Sequence, residues 1–370
     1  MMNVHIYYGG LSGFREVIKD VQEDYMPLVE LGLRDDAKNR RHTVDVEGKQ
    51  VRKEEEIEEY KSVIAFSEDY ASFTESFIES FINFLFRYKI DDLYLQNPPN
   101  SITKRLKQYS SVKCDETERK YQTLGMDELR KLKDGFPTAV IGQERAQHQI
   151  LSALYGVAKG RYNKPCVLLF YGSTGIGKTE TAKFIAETLE EKLFRKQFSM
   201  LHSDAFSSYI FGGKHNENSF ARELLERESN VVLLDEFDKP HPVFHSAFYQ
   251  LFDEGVYEDK NYFVNMGSSI IICTSNFMSE KEIKSALGEP IYSRFDAVIK
   301  FDKLDKAAID TIIKKEYAKQ FDELDADEKV VIEQSGIKEV IYGLVDKLDN
   351  ARQIRKVIRE AINTILVENM

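Results

Sequence analysis

Eight consecutive residues carry the plainest chemical purpose in this chain: Gly172-Ser173-Thr174-Gly175-Ile176-Gly177-Lys178-Thr179, with the spacing G-x-x-x-x-G-K-[ST]. Glycines let a backbone wrap closely around phosphate oxygens. A helix starting at the end of such a loop adds unpaired N–H donors and the positive end of its dipole. In this arrangement Lys178 neutralises the β- and γ-phosphates of a nucleoside triphosphate, and the Thr179 hydroxyl completes the shell of a Mg²⁺ ion. The flanks are the required ones. The apolar run Val167-Leu168-Leu169-Phe170 predicts a strand leading in, and residues 180–189 predict a helix leading out.

A second group lies downstream, in Val231-Val232-Leu233-Leu234-Asp235-Glu236-Phe237-Asp238. Four apolar residues in succession predict a strand buried on both faces, and ligands of a parallel sheet sit at the carboxyl ends of its strands. Asp235 is placed to hold Mg²⁺. Glu236 is placed to polarise the attacking water, a general-base role that needs a carboxylate not itself on the metal. The expected cofactors are ATP and Mg²⁺.

The elements that must position these groups follow from hydrophobic pattern. Strands are predicted over residues 166–171, 196–200, 231–234, 269–274 and 297–301, with helical patterns between most of them, which gives a largely parallel α/β sheet covered on both faces. After residue 305 the pattern becomes mainly helical; a short strand is predicted at 329–333 and a closing helix at 351–367. The first region opens with a strand at 5–8 and the turn Gly9-Gly10. A charged stretch over 34–60 precedes Phe66, Phe73, Phe77, Phe81, Phe84 and Phe86, whose spacing predicts an amphipathic helix. A strand ends near 91–95 before Asn97-Pro98-Pro99-Asn100, and the polar stretch 110–121 reads as a linker. Three domains result: 1–125, an α/β or α+β partner-recognition region; 126–302, the P-loop core; and 303–370, a small helical lid.

Bulk properties bound the partners. With 370 residues, 42% hydrophobic and 31% charged, the chain is of globular composition, and no apolar run reaches the ~20 residues of a membrane span. The formal charge of −11 argues against a nucleic-acid partner, since phosphate neutralisation needs a basic face. Cys114, Cys166 and Cys273 show no metal or disulfide spacing, and the start of the chain lacks a secretory layout. A cytoplasmic setting is expected. His241 and His245 have helical i, i+4 spacing but no third ligand, and Gly9-Gly10-Leu11-Ser12-Gly13 lacks a lysine; a metal site and a second phosphate loop are not expected.

Across residues 135–360 the sequence resembles an AAA+ ATPase of the Clp/heat-shock disaggregase branch, similar to the second ring of ClpB, as a single AAA+ module. The resemblance rests on Val231–Pro242 as an extended Walker B segment, on Gln250-Leu251-Phe252-Asp253-Glu254-Gly255 after it, and on Ala139-Val140-Ile141-Gly142-Gln143-Glu144 as the segment that contacts adenine. It implies that Ile141 and Gly142 lie at the nucleotide and that Asn276 is the sensor-1 residue. It further implies that Arg294 is an arginine finger acting on a neighbour's nucleotide and Arg352 the sensor-2 arginine. Asn350 stands where the family usually has glycine and is read as tolerating a left-handed turn. Tyr209-Ile210-Phe211-Gly212-Gly213 falls where relatives carry a substrate-gripping pore loop, making Tyr209 and Phe211 its aromatics.

What the resemblance implies is a ring-forming ATPase, expected to be a hexamer, that remodels a protein partner. The alternative is an ATP-driven switch that holds or releases an effector without threading it. No Ile-Gly-Phe or Ile-Gly-Leu tripeptide occurs in residues 277–291, which argues against a peptidase partner. The chain stops at Met370, from which a trimmed lid is expected.

Overall fold

A computed structural model describes residues 1–21, 25–42, 57–200 and 203–370. The chain divides into two compact units that are interleaved in sequence. One comprises Met1–Tyr121, Leu201–Glu228 and Val256–Asn265; the other comprises Gln122–Met200, Ser229–Gly255 and Met266–Met370.

The first unit is built on a parallel five-stranded sheet of β1 (Met2–Tyr8), β2 (Met26–Pro27), β3 (Glu59–Ala65), β4 (Lys89–Gln96) and β5 (Val112–Glu118), in the order β2-β3-β4-β1-β5. β5, read from sequence as a linker, pairs along its whole length with β1. Its polar, exposed residues reflect its place at the sheet edge, where only one side is paired and little is buried. The phenylalanine stripe is shorter than its spacing suggested. The helix is Glu75–Leu85, capped by the Thr74 hydroxyl accepting from Phe77 N–H; Phe66 and Phe73 lie before it and Phe86 is its C-cap. The turn after β1 is fixed by Asn97, whose amide donates to Gly9 O at 3.0 Å and accepts from Gly9 N–H at 2.9 Å. Residues 43–56, which hold much of the charged stretch, lie outside the described residues.

The second unit carries the other parallel sheet: β6 (Cys166–Tyr171), β7 (Phe194–Gln197), β8 (Val231–Asp235), and then, past the hairpin β9 (Val256–Glu258) and β10 (Phe263–Asn265) that belongs to the first unit, β11 (Ile270–Ser275) and β12 (Ala297–Lys300). The order is β12-β6-β11-β8-β7. Val167, Leu168, Leu169 and Phe170 are wholly buried, as a central strand covered on both faces requires. The order has a functional consequence, because β11 lies between the strand that feeds the phosphate loop and the strand that ends in Asp235.

The helical tail shares one core with this sheet, through Ile309, Ile313, Ile354, Ile358 and Ile362. The strand predicted at 329–333 is instead part of the helix Ala326–Ser335. A capping box decides it: the Asp325 carboxylate accepts from Glu328 N–H, and Glu328 accepts from Asp325 N–H. Satisfying two helix-end donors outweighs the β preference of Val330 and Val331. Among the described residues no helix is long and apolar enough to cross a membrane.

Candidate active site

The phosphate loop connects β6 to the helix Lys178–Thr188. Gly177, the residue before the helix, has φ +112°, and a Cβ there would lie 2.9 Å from Val140 Cγ1; Gly172 has φ +132° and would meet the Phe301 carbonyl at 2.5 Å. Both positions demand glycine. Ile176 is buried in the core, so its side chain anchors the loop while its backbone lines it. Ser173 and Gly175 are half-buried, Thr174 is exposed, and Thr179 sits half-buried in the first helical turn.

Lys178 is 8% exposed, and its ammonium donates to Gly172 O at 2.6 Å, Ser173 O at 2.8 Å and Asn276 Oδ1 at 3.1 Å. Burial lowers its pKa to about 8, against the pull of Asp235, Asp238 and Glu236; the positive charge of Arg352 adds to the lowering. Loop, Lys178 and Asn276 are thus brought together, with Arg352 close enough for its charge to be felt. Arg352 is exposed in the first turn of the helix Ala351–Glu368. The N-cap of that helix is Asn350, in extended conformation at φ −153°, with its side chain accepting from Gln353 N–H. Asn350 is therefore a helix cap rather than a left-handed turn residue. The next residue ties this helix to the loop through Ala351 N–H to Gly175 O at 2.9 Å.

Asp235 ends β8 with 8% exposure. Its Oδ1 accepts from the Thr274 hydroxyl at 2.5 Å, and its Oδ2 accepts from Arg195 Nη2 at 2.5 Å and Nε at 3.1 Å. Glu236, at φ +57°, is held through its N–H by Thr274 Oγ1 at 2.9 Å, and its carboxylate accepts from Gln197 Nε2 at 3.1 Å. His245 is buried and donates through Nε2 to Phe237 O at 2.9 Å, so it braces the turn after Glu236; burial keeps it below the usual histidine pKa. His241 accepts from Val243 N–H as a helix cap. Among the described residues no cluster of three or more His, Cys, Asp or Glu is placed to hold a metal. A Mg²⁺ ion fits the donors here in another way, since it takes one or two protein oxygens and completes its shell with phosphate and water. Thr179 and Asp235, the sequence-based candidates, carry oxygens of the kind it takes, with Asp235 already engaged by Arg195 and Thr274.

The remaining sequence-based candidates are placed as follows. Ile141 and Gly142 are half-buried after the helix Met126–Ala139. Their neighbour Gln143 locks this segment to the loop, donating to Ile176 O at 3.1 Å and Asp302 O at 2.8 Å and accepting from Asp302 N–H at 3.0 Å. Arg294 is bound to Asp253 at 2.8 Å and to Pro290 O at 2.5 Å, with its guanidinium 4.2 Å from the Tyr249 ring centroid. Tyr209 and Phe211 lie in the first unit, at the end of the helix Ser203–Phe211 rather than in a loop. Tyr209 is 6% exposed with its hydroxyl on Glu223 Oε2 at 2.5 Å, and only Phe211, at 46%, faces outward.

Sequence reasoning missed Arg195, Gln197 and Thr274. Each is an unremarkable strand residue until β7 and β11 are known to flank β8, and pairing order is not local information.

Residues 163–323 match the family model described as AAA domain (Cdc48 subfamily). The chain is 28% identical over 273 residues to the chaperone protein ClpB of Malacoplasma penetrans, covering 66% of this chain and 38% of that protein. It is 32% identical over 199 residues to the human mitochondrial disaggregase, covering 50% of this chain and 28% of that one. Among solved structures, the yeast Hsp104:casein complex in its extended conformation matches in fold at a TM-score of 0.53 and 21% identity, over 64% of this chain and 47% of that one. The chain spans less than half the length of these relatives. The phosphate-loop motif and these matches together support a ClpB-like AAA+ module over residues 163–323.

Proposed function

We propose that this chain is a Mg²⁺-dependent ATPase that works as a ring oligomer to remodel a protein partner. The observation that carries the reading is the convergence of Lys178, Asn276, Asp235 and Glu236 at the carboxyl ends of three adjacent strands. The loop amides and Lys178 bind and orient the phosphates, with Ile141 and Gly142 beside the base. Thr179 and Asp235 would hold Mg²⁺, which supplies charge neutralisation at the phosphates when bound. Glu236 takes the proton from a water that Asn276 helps to orient, and Arg294 serves the neighbouring subunit's nucleotide. The relatives are chaperones and disaggregases by name, and the negative overall charge disfavours nucleic acid.

The test is Glu236→Gln in the full chain. It should keep ATP binding and lose turnover; undiminished hydrolysis would remove Glu236 from its role. Native mass spectrometry with and without ATP reads the assembly directly, and a monomer under all conditions would end the ring reading.

One observation favours the alternative, a switch that holds an effector without threading. Tyr209 is buried, and residues 203–228 pack within the N-terminal unit: Ser67 donates to Glu226 at 2.5 Å, Ser12 to Glu228 at 2.7 Å, and His215 contacts Phe73 O at 2.8 Å. Phe211→Ala separates the two. A threading motor loses work on its substrate while keeping basal hydrolysis, and a switch keeps both.

A further inference from the structure

β11 carries two consecutive polar side chains, Thr274 and Ser275, before Asn276. Thr274 is 2% exposed and contacts both members of the carboxylate pair on the adjacent strand. Its hydroxyl donates to Asp235 Oδ1 at 2.5 Å and accepts from Glu236 N–H at 2.9 Å. Its own carbonyl accepts from Phe237 N–H at 3.0 Å. One residue thus makes three successive contacts across the turn that ends β8. The register Cys273↔Leu234 sets it opposite that turn.

We infer that Thr274 is the positioning residue of the hydrolytic centre. Glu236 has φ +57°, a left-handed conformation that non-glycine residues adopt only when their surroundings impose it. Thr274 imposes it, by capturing the Glu236 N–H with its side chain and the Phe237 N–H with its backbone. The same hydroxyl orients Asp235, because its single proton points at Oδ1 while its lone pair takes the amide. A threonine suits the task, since β-branching restricts χ1 on a strand and holds the oxygen between its two partners. Thr274 touches no reacting atom; it acts by aiming Asp235 and Glu236. This rests on the ATPase reading above for its consequence, but not for its geometry.

Three full-length proteins test it: wild type, Thr274→Val and Thr274→Ser. Valine keeps the shape and removes the hydroxyl. Thr274→Val should lower kcat roughly 10- to 100-fold, the scale of a misplaced catalytic group, with KM for ATP and binding of a fluorescent ATP analogue changed less than about threefold. Thr274→Ser should recover most of the loss. Hydrogen exchange of the peptide spanning 231–240 should be faster in Thr274→Val and near wild type in Thr274→Ser, a readout that needs no turnover. Equal kcat in wild type and Thr274→Val overturns the inference. So does serine failing to rescue, or unaltered exchange in Thr274→Val. A wild type that hydrolyses nothing would instead fail the ATPase reading, and the exchange comparison would still decide whether Thr274 holds the turn.

Discussion

The Arg195 guanidinium straddles one oxygen of Asp235, with Nη2 at 2.5 Å and Nε at 3.1 Å from Oδ2. That carboxylate is the one assigned to Mg²⁺, so two cations compete for it. Arg195 is 45% exposed along its side chain and Asp235 11%, so the pair is partly screened. Removing the guanidinium therefore leaves Asp235 more available to the metal. Arg195→Ala should lower the Mg²⁺ concentration for half-maximal nucleotide binding by roughly three- to tenfold, the range of a charge-assisted hydrogen bond near a surface. Titrating Mg²⁺ against a fluorescent ATP analogue measures it. A midpoint that rises would mean that Arg195 assists the metal rather than opposing it.

Arg294 is engaged within its own chain, paired with Asp253 and lying over Tyr249. To serve a neighbour's nucleotide it must leave both. With side-chain exposures of 26% and 48% the ion pair contributes about 0.2–1 kcal/mol, so its release is easy. Asp253→Asn should raise turnover of the assembled protein, by at most roughly fivefold on that scale, and leave dilute protein unchanged. Arg294→Ala should abolish the rise of specific activity with protein concentration while sparing ATP binding. Specific activity across a dilution series is the measurement; concentration-independent wild-type turnover would remove the role in trans.

The parts of this site that were legible in sequence are those whose chemistry is contiguous. The phosphate loop carries its strand, its glycines and its lysine in one run, and Asp235-Glu236 end an uninterrupted apolar strand. What could not be read depends on which strands lie side by side. Thr274 matters only because β11 sits next to β8, and Arg195 and Gln197 only because β7 sits on the other side. The misread elements have local causes. β5 reads as a linker because an edge strand needs few apolar residues, and 329–333 reads as a strand although the capping box of Asp325 and Glu328 starts a helix just before it. Tyr209, which the resemblance places among pore-loop aromatics, has a buried ring 6.0 Å from that of Phe220, a packing that no local sequence signal shows.

Asn350 performs a task that a left-handed turn would not require. Its side chain caps the helix Ala351–Glu368 through Gln353 N–H at 2.9 Å. Asn350→Ala should cost about 1 kcal/mol, as loss of an N-cap typically does, whereas Asn350→Gly should cost only a few tenths. For a unit of this size the alanine variant should melt roughly 2–4 °C lower per kcal/mol. Thermal melting followed by circular dichroism compares the two. Equal melting of the alanine and wild-type proteins would show that the cap contributes nothing.

The pKa of Lys178 gives a pH test with a definite sign. Burial lowers it from 10.5 to about 8 without nucleotide. The unfolded chain keeps this proton up to about 10.5, so the group opposes folding at neutral pH and that penalty relaxes as pH rises from 8 toward 10.5. Nucleotide reverses the balance, since phosphate charge beside the ammonium favours its protonated form. Binding at pH 7 should then exchange almost no proton through Lys178, while binding at pH 9 should take up close to one. ATP affinity should accordingly fall as pH rises above 8. The γ-phosphate is fully ionised in that window, so Lys178 dominates the change. Calorimetry of Mg·ATP binding in two buffers of different ionisation enthalpy counts the protons directly. Lys178→Met should abolish the uptake, and an uptake that persists in that variant would assign the proton to another group.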